Sequence, residues 1–485
     1  MNEPHATEPF DLLISGATLI DGSGAPARRA DVGVRDGRIA ALGDLAGAAA
    51  RSRIEAAGLA LAPGFIDSHT HDDRLALSDP AMTPKLSQGV TTVVTGNCGV
   101  SLAPLAGREP VAPLNLLGGR EWYRFATVGE YLEALAAAAP AVNVVPLCGH
   151  TTLRAQVMPD LGRAATATEL AAMERLLDEA LEAGCVGLST GLAYPPAQAA
   201  PTDEVVALAR VAAARGGIYA THMRDEREGV LESLRETLEI GRRAGVAVVI
   251  SHHKASGRAA WGLTRETLAL IAEARARQTV DLDCYPYTAG STVLMADWVG
   301  FAERVLVTWS RAHPEHAGRD LAAIRAEWGC GVEEAVARLS PAGAIYFMLD
   351  EADLERVLAF EDTMIGSDGL PHDAHPHPRL WGTFPRVLGR YARERGLLGL
   401  EEAVRRMTAV PARVYGLPDR GLVREGAVAD LVLFDPERVI DRASYEHPCE
   451  PAAGIEAVIV AGEPAWRAGQ PTGARKGRVL QRSVR

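Results

Sequence analysis

Eight short apolar segments run through the middle of this chain, most of them followed by an amphipathic stretch. That alternation restricts the fold more than any other feature. The segments begin at Gly64, Val90, Val142, Val186, Gly217, Val246, Thr279 and Thr363. Helical patterns lie between most of them, such as ATELAAMERLLDEALEAG from Ala167 and EGVLESLRETLEIGRRAG from Glu228. In the second, apolar residues fall at 230, 231, 234, 238 and 240, with charges between them. Strands alternating with amphipathic helices indicate parallel βα units. Eight such units fit an α/β TIM (β/α)8 barrel. A doubly wound sheet is the alternative arrangement of the same units.

The first sixty residues have another texture. FDLLISGATLIDGSG, ADVGVRDGRIAALG and IEAAGLALAPG combine β-branched residues, partial alternation and Gly-rich turns, as short strands do. GAVADLVLFDP and IEAVIVAGEPAWRAG repeat this style near the other end. We expect residues 1–62 and 416–485 to form one small β-sandwich from both chain ends, beside a catalytic barrel at 63–415. The seventh and eighth strands are separated by residues 288–362, longer than an ordinary connection. A helical insertion after the seventh strand, and a candidate lid, is the expectation there. The chain has no internal repeat and no low-complexity linker.

Composition supports a folded enzyme-sized body. Of 485 residues, 47% are hydrophobic and 23% charged, near the average of globular proteins. Fifty basic against 62 acidic residues give a net charge of −12, which speaks against a nucleic-acid footprint. The six cysteines (Cys98, Cys148, Cys185, Cys284, Cys330, Cys449) form no CxxC pair, and a large core needs no disulfide framework. No apolar run is long enough for a membrane span. The stretch MNEPHATEPFD has neither a basic nor an apolar leader region. The expected setting is a reducing cytoplasm. Only three of the fifty basic residues are lysines, Lys85, Lys254 and Lys476. Codon bias accounts for the arginine excess, and against it a lysine inside a motif stands out.

Polar residues gather at the C-terminal ends of the strands, the catalytic face of a barrel. The first strand runs into Asp67-Ser68-His69-Thr70-His71. Side chains on a strand alternate, so His69 and His71 should face the same way and form a natural zinc chelate. Cys98, His222, His252 and Asp368 end the second, fifth, sixth and eighth strands. Singly, a strand-end His is more often a structural residue, and a lone Cys a small core hydrophobe. Six candidate ligands converging on one rim outweigh those readings. His252 shares a face with Lys254, which leaves adjacent His253 packed outside the barrel. His150 either orients a substrate or caps a loop. His372, His375 and His377 read as a rigid His-Pro loop.

LAPGFIDSHTHDD, KLSQGVTTVVTGNCGVSLAPL, ATHMRDE, SHHK, YPYTAGST and GSDGLPHDAHPHPRLWGTFPRVLG resemble the D-aminoacylase (N-acyl-D-amino-acid deacylase) family of the amidohydrolase superfamily. The resemblance runs almost end to end. It implies a zinc-bearing barrel with a β-sandwich, and hydrolysis of small N-acyl-D-amino acids to a carboxylate and a free D-amino acid. It makes Cys98, His222 and His252 the ligands of a tight zinc ion. His69 and His71 become those of a weaker second site, with Cys98 able to bridge. Asp368 matches the essential aspartate and is also counted among the candidate metal ligands. Lys254, Tyr285 and Arg379 fall where the substrate carboxylate is held, and Tyr194 and Ser291 in pocket segments. The fourth strand ends in Ser189-Thr190-Gly191 and offers no lysine for carboxylation, which argues against a hydantoinase-like centre.

The chemistry implied is metal-assisted hydrolysis, with Asp368 moving a proton to the departing nitrogen. Preference for the D configuration comes from the resemblance alone. Ser291 stands where relatives acting on acidic substrates are expected to carry a basic residue, so neutral or hydrophobic side chains are expected. The competing readings are a deacylase of N-acyl-D-glutamate or aspartate, an amidohydrolase acting on a cyclic amide, and a non-catalytic scaffold. No loss of a ligand or of Asp368 supports the last.

Overall fold

The computed structural model describes residues 8–482. The first seven residues, part of the stretch read above as lacking a leader, and the last three lie outside the described residues. All eight barrel strands form where the apolar segments place them. They are Phe65–Asp67, Val90–Thr95, Asn143–Pro146 continued by Cys148–Gly149, Gly187–Gly191, Ile218–His222, Ala247–Ile250, Val280–Cys284 and Met364–Ile365. Successive strands pair in parallel. The ring closes where Ser68 N donates to Ile365 O and Asp368 N donates to His69 O at 2.7 Å. The fold is therefore the barrel rather than an open doubly wound sheet.

Alternation sorts the strand residues between two cores. Tyr219, Val248, Ile250 and Leu282 pack outward with helix residues such as Leu177, Leu208, Leu234 and Ile271. Ile218, Ala220, Val249 and Met364 join a separate inner cluster with Val410 and Tyr415. The helices that cover the barrel start and stop where their sequences direct. Thr166 and Glu169 form a reciprocal capping box at the head of Ala167–Ala183. Gly245, at φ 68°, ends Val230–Ala244. No helix among the described residues is long and apolar enough to cross a membrane.

Both chain ends meet in one continuous sheet of nine strands. Ala60–Pro63 pairs with Leu431–Phe434, so the junction with the barrel is shared by the two ends. Leu12, Ile14, Val32, Val34, Leu431 and Ile459 give this sheet an apolar core of its own. The tail leaves the sheet after Pro471 and returns to the barrel, where Leu480 N donates to Val144 O.

The insertion is not the helical element expected from sequence. It is built on a three-stranded antiparallel sheet, Ala289–Val293, Arg304–Ser310 and Ala342–Phe347, together with helices Leu321–Trp328 and Val332–Leu339. Val305, Val307, Ala344 and Tyr346 face Leu321, Ile324, Val336 and Leu339, so each layer buries the other's apolar side.

One buried ion pair locks the third and fourth units. Arg154, fully buried, donates to Glu204 Oε1 and to Pro196 O, and His150 Nε2 lies 2.9 Å from the same carboxylate. Burial alone would raise the Glu204 pKa, but His150 and Arg154 outweigh it and hold it at about 2. A depressed carboxylate stabilises above its unfolded value and loses that contribution as pH falls through its folded value. Glu204→Gln should therefore cost about 3 kcal/mol at pH 7, because it strands a buried guanidinium. The deficit should shrink steadily between pH 5 and pH 2. Urea denaturation of both proteins across that range checks it; a deficit independent of pH would remove the ion pair as its source.

Candidate active site

Cys98 Sγ lies at the centre of the strand-end cluster, 3.2 Å from His69 Nε2 and 3.3 Å from His252 Nε2. Two ligand groups share it. Cys98, His222 and His252 bring their donor atoms within 4.8 Å of one another, and so do His69, His71, Cys98 and Asp368. All six residues are buried. The structure thus brings together every metal-ligand candidate chosen from sequence.

How the side chains get there differs from simple alternation. The first strand ends at Asp67 and the sixth at Ile250, so His69, His71 and His252 lie in the turns beyond. Val249 faces the inner core, and strict alternation would turn His252 outward. A left-handed backbone at His252, φ 36°, changes that direction. Cys98 (φ 53°) and Asp368 (φ 50°) adopt the same uncommon conformation. Each costs about 1–2 kcal/mol for a residue with a Cβ, a strain that concentrates at functional sites. His253 turns away, with Nε2 2.8 Å from Thr267 Oγ1.

Charge is balanced pairwise. Burial alone would push the Cys98 thiol up, but the charges of His69 and His252 hold it well below its ordinary value. Burial likewise opposes a charged His71, yet Asp368 and Cys98 raise it to about 9. Asp368 Oδ1 lies 3.2 Å from His71 Nε2, and Oδ2 lies 2.9 Å from Arg379 Nη2. Despite burial, the Arg379 charge and the His71 hydrogen bond keep Asp368 well below the usual carboxylate range.

Behind the ligands stand two carboxylates that the sequence reading passed over. Glu226 lies 3.1 Å from His252 Nδ1 and 3.5 Å from His222 Nε2. Asp283 accepts from His252 N and lies 3.4 Å from His69 Nδ1. Such partners orient metal-bound imidazoles. An acidic residue four places after His222, and another at the end of the seventh strand, were the available signals.

The substrate-side candidates gather on one flank. Lys254 Nζ lies 2.8 Å from Glu226 and from His252 O, so its ammonium is already engaged. Arg379 lies over the Tyr285 ring at 4.6 Å, and its Nη2 also donates to Ser291 O. Tyr285 Oη and Arg379 Nε and Nη1 are buried without a partner among the described residues. Tyr194 Oη is 2.9 Å from Thr292 Oγ1, and Ser291 Oγ donates to Ala344 O. The pocket that adjoins His71, His222, His252 and Asp368 is lined by Leu116, Tyr194, Trp298, Tyr346, Met348 and Leu370. His150 serves the Glu204 ion pair instead, while His375 and His377 lie near the carbonyls of Tyr445 and Ala289.

The donor set fits a zinc ion. A thiolate and imidazoles are its preferred ligands, and both ring nitrogens of His222 are buried without a hydrogen-bond partner among the described residues. A divalent cation would take the place of the protons that otherwise balance Cys98.

The amidohydrolase family pattern matches residues 53–301 and 355–465, leaving only part of the insertion unmatched between them. This chain belongs to that family. It is 58% identical to a D-aminoacylase of Alcaligenes xylosoxydans xylosoxydans, over 99% of both chains. An N-acyl-D-aspartate deacylase from the same organism is 56% identical, over 97% of this chain and 95% of the relative. The crystal structure of N-acyl-D-glutamate deacylase from Bordetella bronchiseptica, complexed with zinc and a phosphonate inhibitor, superimposes with a TM-score of 0.95 at 49% identity. It covers 98% of this chain and all of that one.

For this amidohydrolase we expect Cys98→Ala to lose its zinc on dialysis, since the sulfur belongs to both ligand groups. Elemental analysis of dialysed protein checks it. Full retention of zinc in a folded variant would remove Cys98 from the centre.

Proposed function

We propose that this amidohydrolase hydrolyses N-acyl-D-amino acids to a carboxylate and a free D-amino acid. Zinc would be held tightly by Cys98, His222 and His252, with His69 and His71 offering a weaker second site. The observation that carries the reading is a pocket lined by Asp368 and by the candidate ligands His71, His222 and His252 among aromatic and apolar residues, with Cys98 in the same ligand groups and Arg379 on the Asp368 carboxylate. The relatives supply the substrate class and its handedness. In this reading residues 63–415 are the catalytic unit, and 1–62 with 416–485 are a supporting unit.

When bound, zinc supplies a Lewis acid for the amide carbonyl and makes water more acidic. The residues of the chain do the rest. Asp368 is unprotonated at neutral pH, and Arg379 holds its Oδ2. Its Oδ1, held beside His71 Nε2, would take the proton of the attacking water and return it to the nitrogen as the C–N bond breaks. Unpartnered donors on Tyr285 and Arg379 need an acceptor. The α-carboxylate of the substrate, also within the field of Lys254, supplies two oxygens. Fixing that carboxylate orients the amide against Asp368.

The lining favours neutral or hydrophobic substrate side chains. Apart from the candidate ligands, Lys254 is the one basic residue there, and Glu226 neutralises it. Activity on N-acyl-D-aspartate or glutamate is the second reading, favoured by the relatives that act on them. Zinc-loaded enzyme should show higher kcat/KM on N-acetyl-D-Met, Leu and Phe than on N-acetyl-D-Glu, and none on the L forms. The highest kcat/KM on N-acetyl-D-Glu would establish the second reading instead.

Lys254→Arg tests geometry at fixed charge. A planar guanidinium cannot serve Glu226 and His252 O from the ammonium's position. We expect kcat/KM to fall at least about tenfold, or about 1.4 kcal/mol, with zinc content unchanged. Wild-type kcat/KM in this variant would show that the lysine geometry is incidental.

A further inference from the structure

Lys85 is fully buried on the short helix Thr83–Leu86 and does not line the pocket. Its ammonium has three partners. Nζ donates to Asp67 Oδ2 and to Ser367 Oγ, each at 2.9 Å, and lies 3.2 Å from Asp72 Oδ2. The partners in turn hold backbone. Asp67 Oδ1 accepts from Ser367 N at 2.7 Å and from His69 N at 3.4 Å. Ser367 Oγ accepts from Gly369 N at 3.3 Å. The residues on either side of Asp368 are therefore tied to one ammonium and one carboxylate.

Asp368 needs such support. Its backbone lies at φ 50°, a conformation an L residue with a side chain leaves unless its surroundings hold it. Its carboxylate must also stay on His71 and Arg379. Asp67 and Asp72 already neutralise Lys85 without the serine. The bond to Ser367 therefore adds nothing to charge balance; what it adds is a fixed position for the 367–369 turn.

We propose that Lys85, acting through Asp67 and Ser367, is a positioning residue that holds Asp368 in its proton-transfer geometry. The role given to Asp368 rests on the function proposed above. The clamp joins the first and eighth strands where they close the barrel, so it sets the distance between the His69–His71 turn and Asp368.

Ser367→Ala is the decisive variant, because it removes the hydroxyl's bonds to Lys85 and Gly369 N while leaving the ammonium with both carboxylates and the Asp67 bond to the residue 367 backbone N–H. In zinc-loaded enzyme kcat should fall about tenfold while KM stays within about twofold. Zinc content should be unchanged and Tm within about 2 °C of the parent. Ser367→Thr keeps the hydroxyl and should recover most of kcat. In an Asp368→Asn background, Ser367→Ala should cause no further loss, because the group it positions no longer carries a proton. Lys85→Arg, which keeps the charge and loses the three-way geometry, should reproduce the Ser367→Ala phenotype. A crystal structure of Ser367→Ala should show the Asp368 carboxylate displaced from His71. Parental kcat in Ser367→Ala, or an equal tenfold loss in the Asp368→Asn background, would overturn the proposal. So would an Asp368 that stays in place in the variant structure. If the parent turns over no N-acyl-D-amino acid, the substrate reading fails, and the position of Asp368 in that crystal structure still decides the clamp.

Discussion

A buried thiolate is costly, and the site is organised around keeping one at Cys98. Taking a charge out of water is tolerated only where opposite charges stand close by. Here His69 and His252 approach the sulfur from two sides. Their own charge is held in turn by carboxylates one layer further out, Glu226 behind His252 and Asp283 behind His69. Asp368 with Arg379, and Glu226 with Lys254, repeat the device at the rim. Alternating charges of this kind cannot relax independently, because moving one leaves a neighbour unpaired. A cation held by these residues would take the place of the imidazole protons without rebuilding this frame.

The barrel makes such an arrangement affordable. The ends of the first, second, fifth, sixth and eighth strands, with the turns beyond them, deliver polar residues to a common rim, while the strand side chains feed two apolar cores. The insertion has a different task. Ser291, Thr292, Trp298, Tyr346 and Met348 all come from it and line the pocket. The family pattern breaks within it, between 301 and 355. In the proposed reading the bond-breaking residues sit at barrel strand ends, and much of the pocket lining comes from the insertion.

Much of this was legible in the sequence, for a physical reason. Parallel barrel strands are buried on both faces, so they write short, nearly continuous apolar runs, and all eight strands lie in such runs. Ligands at strand ends are equally visible, because polar residues interrupt those runs at fixed places. The insertion reads as helical because strands such as Ala342–Phe347 are flanked by amphipathic helices, Val332–Leu339 and Glu351–Ala359, that dominate the pattern. Glu226 and Asp283 went unnoticed because a carboxylate behind a ligand has no spacing rule of its own. The left-handed turns at Cys98, His252 and Asp368 were invisible, since none of the three is a glycine. His252 was nonetheless placed in the site, by an alternation argument that the backbone does not obey.

The lysines show how composition can point to geometry. Arginine serves almost every cationic position in this chain, yet two of the three lysines are buried in or beside the site. Each ammonium has partners spread around one atom: Asp67, Asp72 and Ser367 for Lys85, and Glu226 and His252 for Lys254. An ammonium directs three N–H bonds away from a single nitrogen, whereas a guanidinium directs five within a plane. Acceptors converging on one point from different strands suit the first and not the second. Lys476, the third, is exposed. In a chain so poor in lysine, the two that are buried mark places where the shape of the charge matters as much as its sign.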